Sequence, residues 1–166
     1  ARLVNYPFKI HQAKITQECH CPISSVRGRA SDKGASTIDV EKSMLRAALG
    51  STNWLQRESR LDAAADSSLL MSRLNESTVQ DLCDCNIMIK RLQDEPFLGI
   101  ILQAIPLKDV RWATVQDACW NRVKDGHSQA GFIAGVTTKE LWQNKEAPFG
   151  IPSFRSHKLP RKVPST

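Results

Sequence analysis

Residues 115–120 read Val-Gln-Asp-Ala-Cys-Trp, and residues 124–132 read Lys-Asp-Gly-His-Ser-Gln-Ala-Gly-Phe. Two apolar, β-branched runs, 110–118 and 130–137, flank the Asp-Gly pair of the second stretch. Such runs favour strands, and Asp-Gly between them is typical of a tight turn. The sequence therefore predicts an antiparallel hairpin with Asp117 on its first strand.

Two more runs of this kind, 97–105 and 149–154, extend the prediction to a mainly antiparallel sheet that begins near residue 97. Residues 138–143 interrupt the strand pattern and predict a helical turn or a loop insertion. Leu141 and Trp142 are the residues we expect to pack it.

Three amphipathic helices are predicted before the sheet, over 36–55, 61–74 and 77–92. A Ser or Thr hydroxyl at 36–37 is expected to accept from the first-turn amides, and acidic residues that follow favour the positive helix end. Gly50-Ser51 either breaks the first helix or is passed by it. Short connections between the three predict a small helical unit.

The chain before this unit is predicted to be irregular. Residues 3–17 alternate loosely around Pro7, which indicates a short strand or an extended arm. Residues 21–37 are rich in Ser, Gly and Arg and are predicted to connect rather than pack. The fold class is thus α+β, divided into a basic arm and linker (1–37), a helical region (38–95) and a sheet with a basic tail (96–166).

Composition excludes some classes of protein. The chain has 166 residues and 41% hydrophobic content, enough for one ordinary domain or two small ones. Its longest apolar run, 97–105, is far shorter than the 18 or so residues that a membrane span needs, so no membrane insertion is predicted.

The formal charge of +6 is concentrated at the two ends, around a nearly neutral middle. Basic ends of this kind favour polyanion partners, with RNA phosphates the expected ligands, although they could also only solvate exposed tails. The residues expected to contact RNA are Arg27, Arg29, Arg155, Lys158, Arg161 and Lys162. The neutral middle is expected to pack on itself or on neighbouring proteins.

Five cysteines, an odd number, favour a reducing compartment over a disulfide framework. Cys19-His20-Cys21 and Cys83-Asp84-Cys85 suggest zinc, but the C-x-C spacing is not that of zinc motifs, and on a helix Cys83 and Cys85 point apart. We therefore expect buried or incidental thiols, no metal and no cofactor.

The chain resembles one contiguous region of copia-type retrotransposon polyproteins, from the end of the reverse transcriptase into the RNase H domain. The order and spacing agree over nearly the whole chain. The segments that carry the resemblance are Phe8–Lys14, Leu45–Leu55, Ser59–Ala64, the helix from Glu76, Asp117–Trp120, Asp125–Phe132 and Ser153–Leu159. The resemblance implies that residues 96–166 form a truncated, partial RNase H-like domain.

Departures from the family pattern predict that the chain is not an enzyme. The Tyr-X-Asp-Asp turn of the polymerase does not occur, and Arg60-Leu61-Asp62 stands where the family has Arg-Pro-Asp. The resemblance places Asp117 at the first RNase H carboxylate and the second acid just beyond Ser165-Thr166. One carboxylate cannot build a two-metal site, so Asp117 is a relic candidate, expected to cap a strand end or to pair with Arg or Lys.

Other residues with possible chemistry receive structural interpretations. Asp109, Asp125 and His127 are not placed by any motif, and the last two are interpreted as turn residues. Trp112, Trp120 and Trp142 could stack on nucleotides, but aromatic residues in strand patterns are more often core, which is the expectation here.

These observations predict a non-catalytic, retrotransposon-derived structural component of a ribonucleoprotein assembly, with an organellar (mitochondrial) ribosome as the leading host and rRNA and neighbouring proteins as partners. The first residue is Ala1, and loss of a targeting peptide for a mitochondrion or other organelle would explain this. One alternative is a fragment of an active reverse transcriptase and RNase H polyprotein. Another is an accessory protein-interaction subunit of an organellar membrane complex.

Overall fold

The computed structural model describes residues 7–123 and 127–159. Within these ranges it describes all side chains except those of residues 119–123 and 127. It contains helices and antiparallel sheets, which confirms the mixed fold class. Four helices come first: α1 (Ala13–Glu18), α2 (Asp39–Glu58), α3 (Ala64–Arg73) and α4 (Val79–Asp94). Short 3₁₀ turns, Leu61–Ala63 and Leu74–Glu76, precede and follow α3.

In the part of the chain that the structure describes, five strands form two separate sheets. The strands are β1 (Phe8–Ile10), β2 (Ile100–Leu102), β3 (Arg111–Val123), β4 (His127–Thr137) and β5 (Gly150–Lys158). β3, β4 and β5 form an antiparallel meander in that order, which confirms the predicted hairpin, although its turn at 124–126 lies outside the described residues. Among the described strands β2 pairs only with β1, so the expectation of a single sheet beginning near residue 97 is wrong.

The hydrophobic core lies within the helical unit. Leucines of α2 pack on the apolar face of α4, with Leu45, Leu55 and Ile89 having no exposed surface. α2 continues through Gly50 without a break to Glu58. The three predicted helices are confirmed because their apolar stripes converge on this one core.

The cap of α2 differs from the prediction. The Thr37 hydroxyl bonds to Ser77 instead of to the first turn of the helix. Glu41 takes the capping role: its carboxylate accepts from the Ile38 N–H at 3.0 Å. Glu41, inside the first turn, thus satisfies the N–H of Ile38, the residue before the helix, whereas the hydroxyl was expected to accept from amides of the first turn itself.

The N-terminal segment packs more than its composition predicts. Only Phe8–Ile10 is extended, and α1 then turns so that Thr16 is buried. Ile23, inside the expected linker, is buried in the core, and its N–H and C=O both bond to the Asn86 side chain at 2.6 and 3.0 Å. The prediction that 21–37 connects without packing is therefore wrong, because one apolar side chain and one amide fix it to α4.

Residues 139–143 form a 3₁₀ turn, as the interrupted strand pattern predicted. Its expected packing residues do not pack: Leu141 and Trp142 are both exposed. Trp112 on β3 is 68% exposed, so the expectation of a core position is wrong for Trp112 as well as for Trp142. The side chain of Trp120 lies outside the described part of the chain.

Candidate nucleic-acid interface

One face of the β3–β4–β5 sheet turns toward α3. Gln129 on β4 donates from Nε2 to the Ser68 hydroxyl of α3 and to the Ser156 hydroxyl of β5, both at 2.8 Å. Lys158 pairs with Gln129, and Phe154 with Ile133, in the register of β4 and β5. Since side chains alternate along a strand, Phe154, Ser156 and Lys158 project on the α3 side.

The edge strand β5 and the helices α2 and α3 enclose a groove of about 650 Å³. Its helical wall carries amide, hydroxyl and thioether groups, and its strand wall is β5 from 153 to 158. The lining residues are Asn53, Gln56, Arg57, Ser68, Met71, Ser72, Phe132, Ser153, Phe154, Arg155, Ser156, His157 and Lys158.

The groove is positively charged. Arg57 at the end of α2 stands on one wall, and Lys158 projects from β5 on the α3 side. Arg155 also lines the groove, with its side chain on the opposite face of the same strand. None of the lining residues carries a carboxylate, and none of these three cations is ion-paired with a described acid. Three unneutralised cations around one recess attract a polyanion.

Two buried polar atoms adjoin this groove without a described hydrogen-bond partner. Gln129 is 8% exposed, and its Oε1 is unsatisfied. The Nδ1 of His157, a groove-lining residue, is also buried and unsatisfied. Buried polar atoms normally have partners, so both are sites where a ligand or solvent atom would be stabilised.

The structure separates the predicted RNA-contacting residues into different surroundings. Arg155 and Lys158 lie in the groove on a strand, where a basic tail was expected. Arg27 is exposed but does not line the groove. Arg29 is held within the fold, since it pairs with Glu41 at 3.6 Å and donates to the Ser36 carbonyl. Arg161 and Lys162 lie outside the described residues.

Sequence reasoning missed Arg57 because it belongs to a helix in the neutral middle of the chain. Only the packing of α3 against β5 brings the end of α2 to the same groove as Arg155. Its position after the last buried residues of α2 predicts an exposed side chain, but nothing in the sequence indicates which surface it faces.

Asp117 lies in the middle of β3, opposite Gly131, and is exposed. Its Oδ1 accepts from the neighbouring Ala118 N–H at 2.7 Å, and it has no ion pair with a described residue. The expectation that Asp117 caps a strand end or pairs with Arg or Lys is therefore wrong. It lines a cavity of about 270 Å³ whose walls are mainly apolar, among them Leu61, Ala64 and Ile133, with Arg155 also in the lining.

The cysteines near the core are buried thiols. Burial, and secondly the neighbouring Cys21 and Cys19, raise the pKa of Cys85 to about 12, so it is a neutral thiol at physiological pH. Burial also raises the pKa of Cys19. In residues 7–123 and 127–159, no three His, Cys, Asp or Glu side chains are grouped to hold a metal ion.

Several motif residues cannot be placed. Asp125 and the side chains of Cys119, Trp120 and His127 lie outside the described part of the structure, so the turn interpretations for Asp125 and His127 stay predictions. Asp109 lies in a 3₁₀ turn before β3.

No helix within the described ranges is long and apolar enough to cross a membrane. No protein-family model, no curated protein and no solved structure matches this chain. The resemblance to retrotransposon polyproteins therefore rests on the sequence segments alone, and function has to be argued from the groove.

Proposed function

We propose that this chain is a non-catalytic, retrotransposon-derived structural component of a ribonucleoprotein assembly and that it contacts RNA through the groove between α2, α3 and β5. The host we put forward is an organellar, mitochondrial ribosome, in which rRNA and neighbouring proteins are the partners. The observation that carries the proposal is a groove with three cations and no carboxylate among its lining residues.

The chemistry of this groove fits a phosphodiester backbone. Arg57 and Arg155 each offer a guanidinium fork suited to phosphate oxygens, and Lys158 adds a point charge. Serine hydroxyls between them can donate to phosphates or to ribose oxygens. An acidic protein segment would satisfy the same charges, but phosphates use the mixture of charged and hydroxyl donors more fully.

The finer part of the fold, descent from an RNase H domain, belongs to the same proposal. A meander in the order β3–β4–β5 with Asp117 on its first strand agrees with the arrangement that the resemblance implies for the start of that domain. The aliphatic surroundings of Asp117 favour the non-catalytic interpretation, because divalent ions need several oxygen ligands.

Replacing the groove cations together, as Arg57→Gln, Arg155→Gln and Lys158→Gln, should weaken RNA binding about 100-fold, since each charged contact contributes about 1 kcal/mol or more. Fluorescence anisotropy with a labelled RNA fragment measures the affinity, and its dependence on salt should become shallower.

The matched control for this variant is Arg46→Gln, Lys108→Gln and Lys139→Gln, which removes the same charge from exposed positions that do not line the groove. Its affinity should stay within a few-fold of the wild type. Equal losses in the two triple variants would mean that net charge, and not the groove, determines binding.

The nuclease alternative makes an opposite prediction for Asp117. If the proposal is right, the intact protein leaves an RNA/DNA hybrid uncleaved in Mg²⁺, and Asp117→Asn changes neither that result nor RNA affinity. Gel analysis of an end-labelled hybrid is the measurement. Cleavage by the wild type that disappears in Asp117→Asn would establish an enzyme and refute the scaffold role.

A further inference from the structure

We infer that the groove between α2, α3 and β5 takes a single-stranded stretch of RNA in preference to a duplex. This inference rests on the proposed function, since it names the form of RNA that the same groove accepts. It comes from three features of the groove: the positions of its charges, the polar groups of its walls, and the aromatic ring that it exposes.

The cations are arranged for one backbone. Lys158 projects from β5 on the α3 side, and Arg155, about 10 Å away along the strand, projects from the opposite face. Arg57 stands across from Lys158 on α2. A single strand that runs along the groove can place successive phosphates against both walls.

The walls carry groups that pair with bases and riboses. Gln56 donates from Nε2 to the Asn53 Oδ1 at 2.6 Å, and the NH₂ group of Asn53 has no described partner. Ser153 on the opposite wall adds a hydroxyl that can donate and accept. These are the group types that read the edges of unpaired bases.

Aromatic rings supply a surface for stacking. Phe154 lines the groove on the α3 side and is half-buried, so part of its ring stays accessible, and the exposed Met71 lies on the helical wall. Phe132 also lines the groove, but it pairs with Arg155 and lies on the opposite face of the sheet. Stacking of bases on aromatic side chains, next to a positively charged groove, is the usual mode of single-strand recognition.

A duplex cannot use these groups. Its bases are stacked inside and its phosphates lie on a convex surface, so it could meet the cations of this recess of about 650 Å³ but could not place a base against Phe154. A single strand can turn its bases toward Phe154 while its phosphates stay with Arg57 and Lys158. The groove therefore discriminates between the two forms of RNA.

The test compares a fluorescein-labelled oligouridylate with the duplex that it forms with an oligoadenylate of the same length, under the same salt conditions. Anisotropy should show the single strand binding about tenfold tighter or more. Phe154→Leu, which keeps apolar bulk but removes the ring, should weaken single-strand binding about fivefold or more and leave duplex binding unchanged. The groove-cation triple variant should weaken both.

A second measurement uses the wild-type protein and needs no variant. Oligouridylate that contains 4-thiouridine, irradiated on the wild-type protein, should crosslink to peptides that include Phe154 or Met71. Duplex binding as tight as single-strand binding, or crosslinks confined to other surfaces, would overturn this inference while the proposed RNA contact stands. If neither the single strand nor the duplex binds, both this inference and the proposed RNA contact are refuted.

Discussion

Arg60→Ala is expected to lower the free energy of unfolding by about 3–5 kcal/mol, the usual cost of breaking a buried ion pair. The Arg60 side chain has no exposed surface. Its Nη1 donates to the Leu92 and Glu95 carbonyls at 2.9 and 3.0 Å, and its Nε and Nη2 form a two-bond pair with the Asp62 carboxylate at 2.9 and 2.8 Å.

The size of the effect follows from what the substitution exposes. Two carbonyls at the C-terminal end of α4 lose their charged donor, and the Asp62 carboxylate, which is 31% exposed, loses its partner. An alanine also leaves a cavity where the guanidinium was. Since α4 supplies four of the eleven described buried residues of the core cluster, the loss affects the whole unit.

Urea denaturation of the full chain, followed by circular dichroism, measures this effect. Arg60→Lys should recover little, because one ammonium cannot reach both carbonyls and the carboxylate in the same geometry. Arg46→Ala, an exposed position on α2, is the matched control and should change stability by no more than about 0.5 kcal/mol. An Arg60→Ala protein as stable as this control would show that the buried network contributes little.

The same residues show what sequence reasoning could and could not reach. Arg60-Leu61-Asp62 was identified as a motif with a missing proline, but its function in the fold is the buried fork between Arg60 and Asp62. A two-residue spacing is compatible with many geometries. Only the position of the end of α4, set by packing far along the chain, makes Arg60 the donor for its carbonyls.

The helices were predictable because each carries a periodic apolar stripe, which is a local property. The exposure of side chains on the strands was less predictable. Trp112 is an aromatic residue in an apolar strand pattern, which is typical of a core position. Its ring is nevertheless 68% exposed, because no described element covers that face of β3. Exposure on a strand depends on which faces other elements cover, and the local sequence does not contain that information.

Two of the three cations that line the groove were predictable from the sequence. Arg155 and Lys158 stood out because no acid lies near them in sequence, whereas Arg57 sits beside Glu58 and gives no such signal. Arg29 also stood out, and its charge is already used by Glu41 within the fold. A charge count along the chain finds cations but cannot tell which of them are neutralised by residues from other elements.

Glu41→Gln is the second substitution expected to have a large effect, a loss of about 2–3 kcal/mol of unfolding free energy at neutral pH. The Glu41 side chain is fully buried, and its two oxygens accept from the Val26 and Ile38 N–H groups at 2.8 and 3.0 Å. Glutamine has the same shape but only one acceptor oxygen, so one amide N–H would face an NH₂ group. It also abolishes the ion pair with Arg29.

This loss should depend on pH in a defined direction. Burial raises the pKa of Glu41, but the two backbone N–H donors and Arg29 together lower it more, so the net pKa in the folded protein is below 4.5. Because the unfolded chain binds the proton more tightly, the stabilisation by Glu41 is complete above pH 4.5 and is lost as the pH falls through the folded pKa.

The stability difference between the wild type and Glu41→Gln should therefore be constant near neutral pH and shrink below pH 4.5. Urea titrations of both proteins across this range measure it, with Glu58→Gln, an exposed residue of the same helix, as the control whose difference stays near zero. Other carboxylates titrate in both proteins and cancel in the difference. A gap that persists unchanged into acid would mean that the charge of Glu41 contributes nothing and that the loss comes only from placing an amide NH₂ against a backbone N–H.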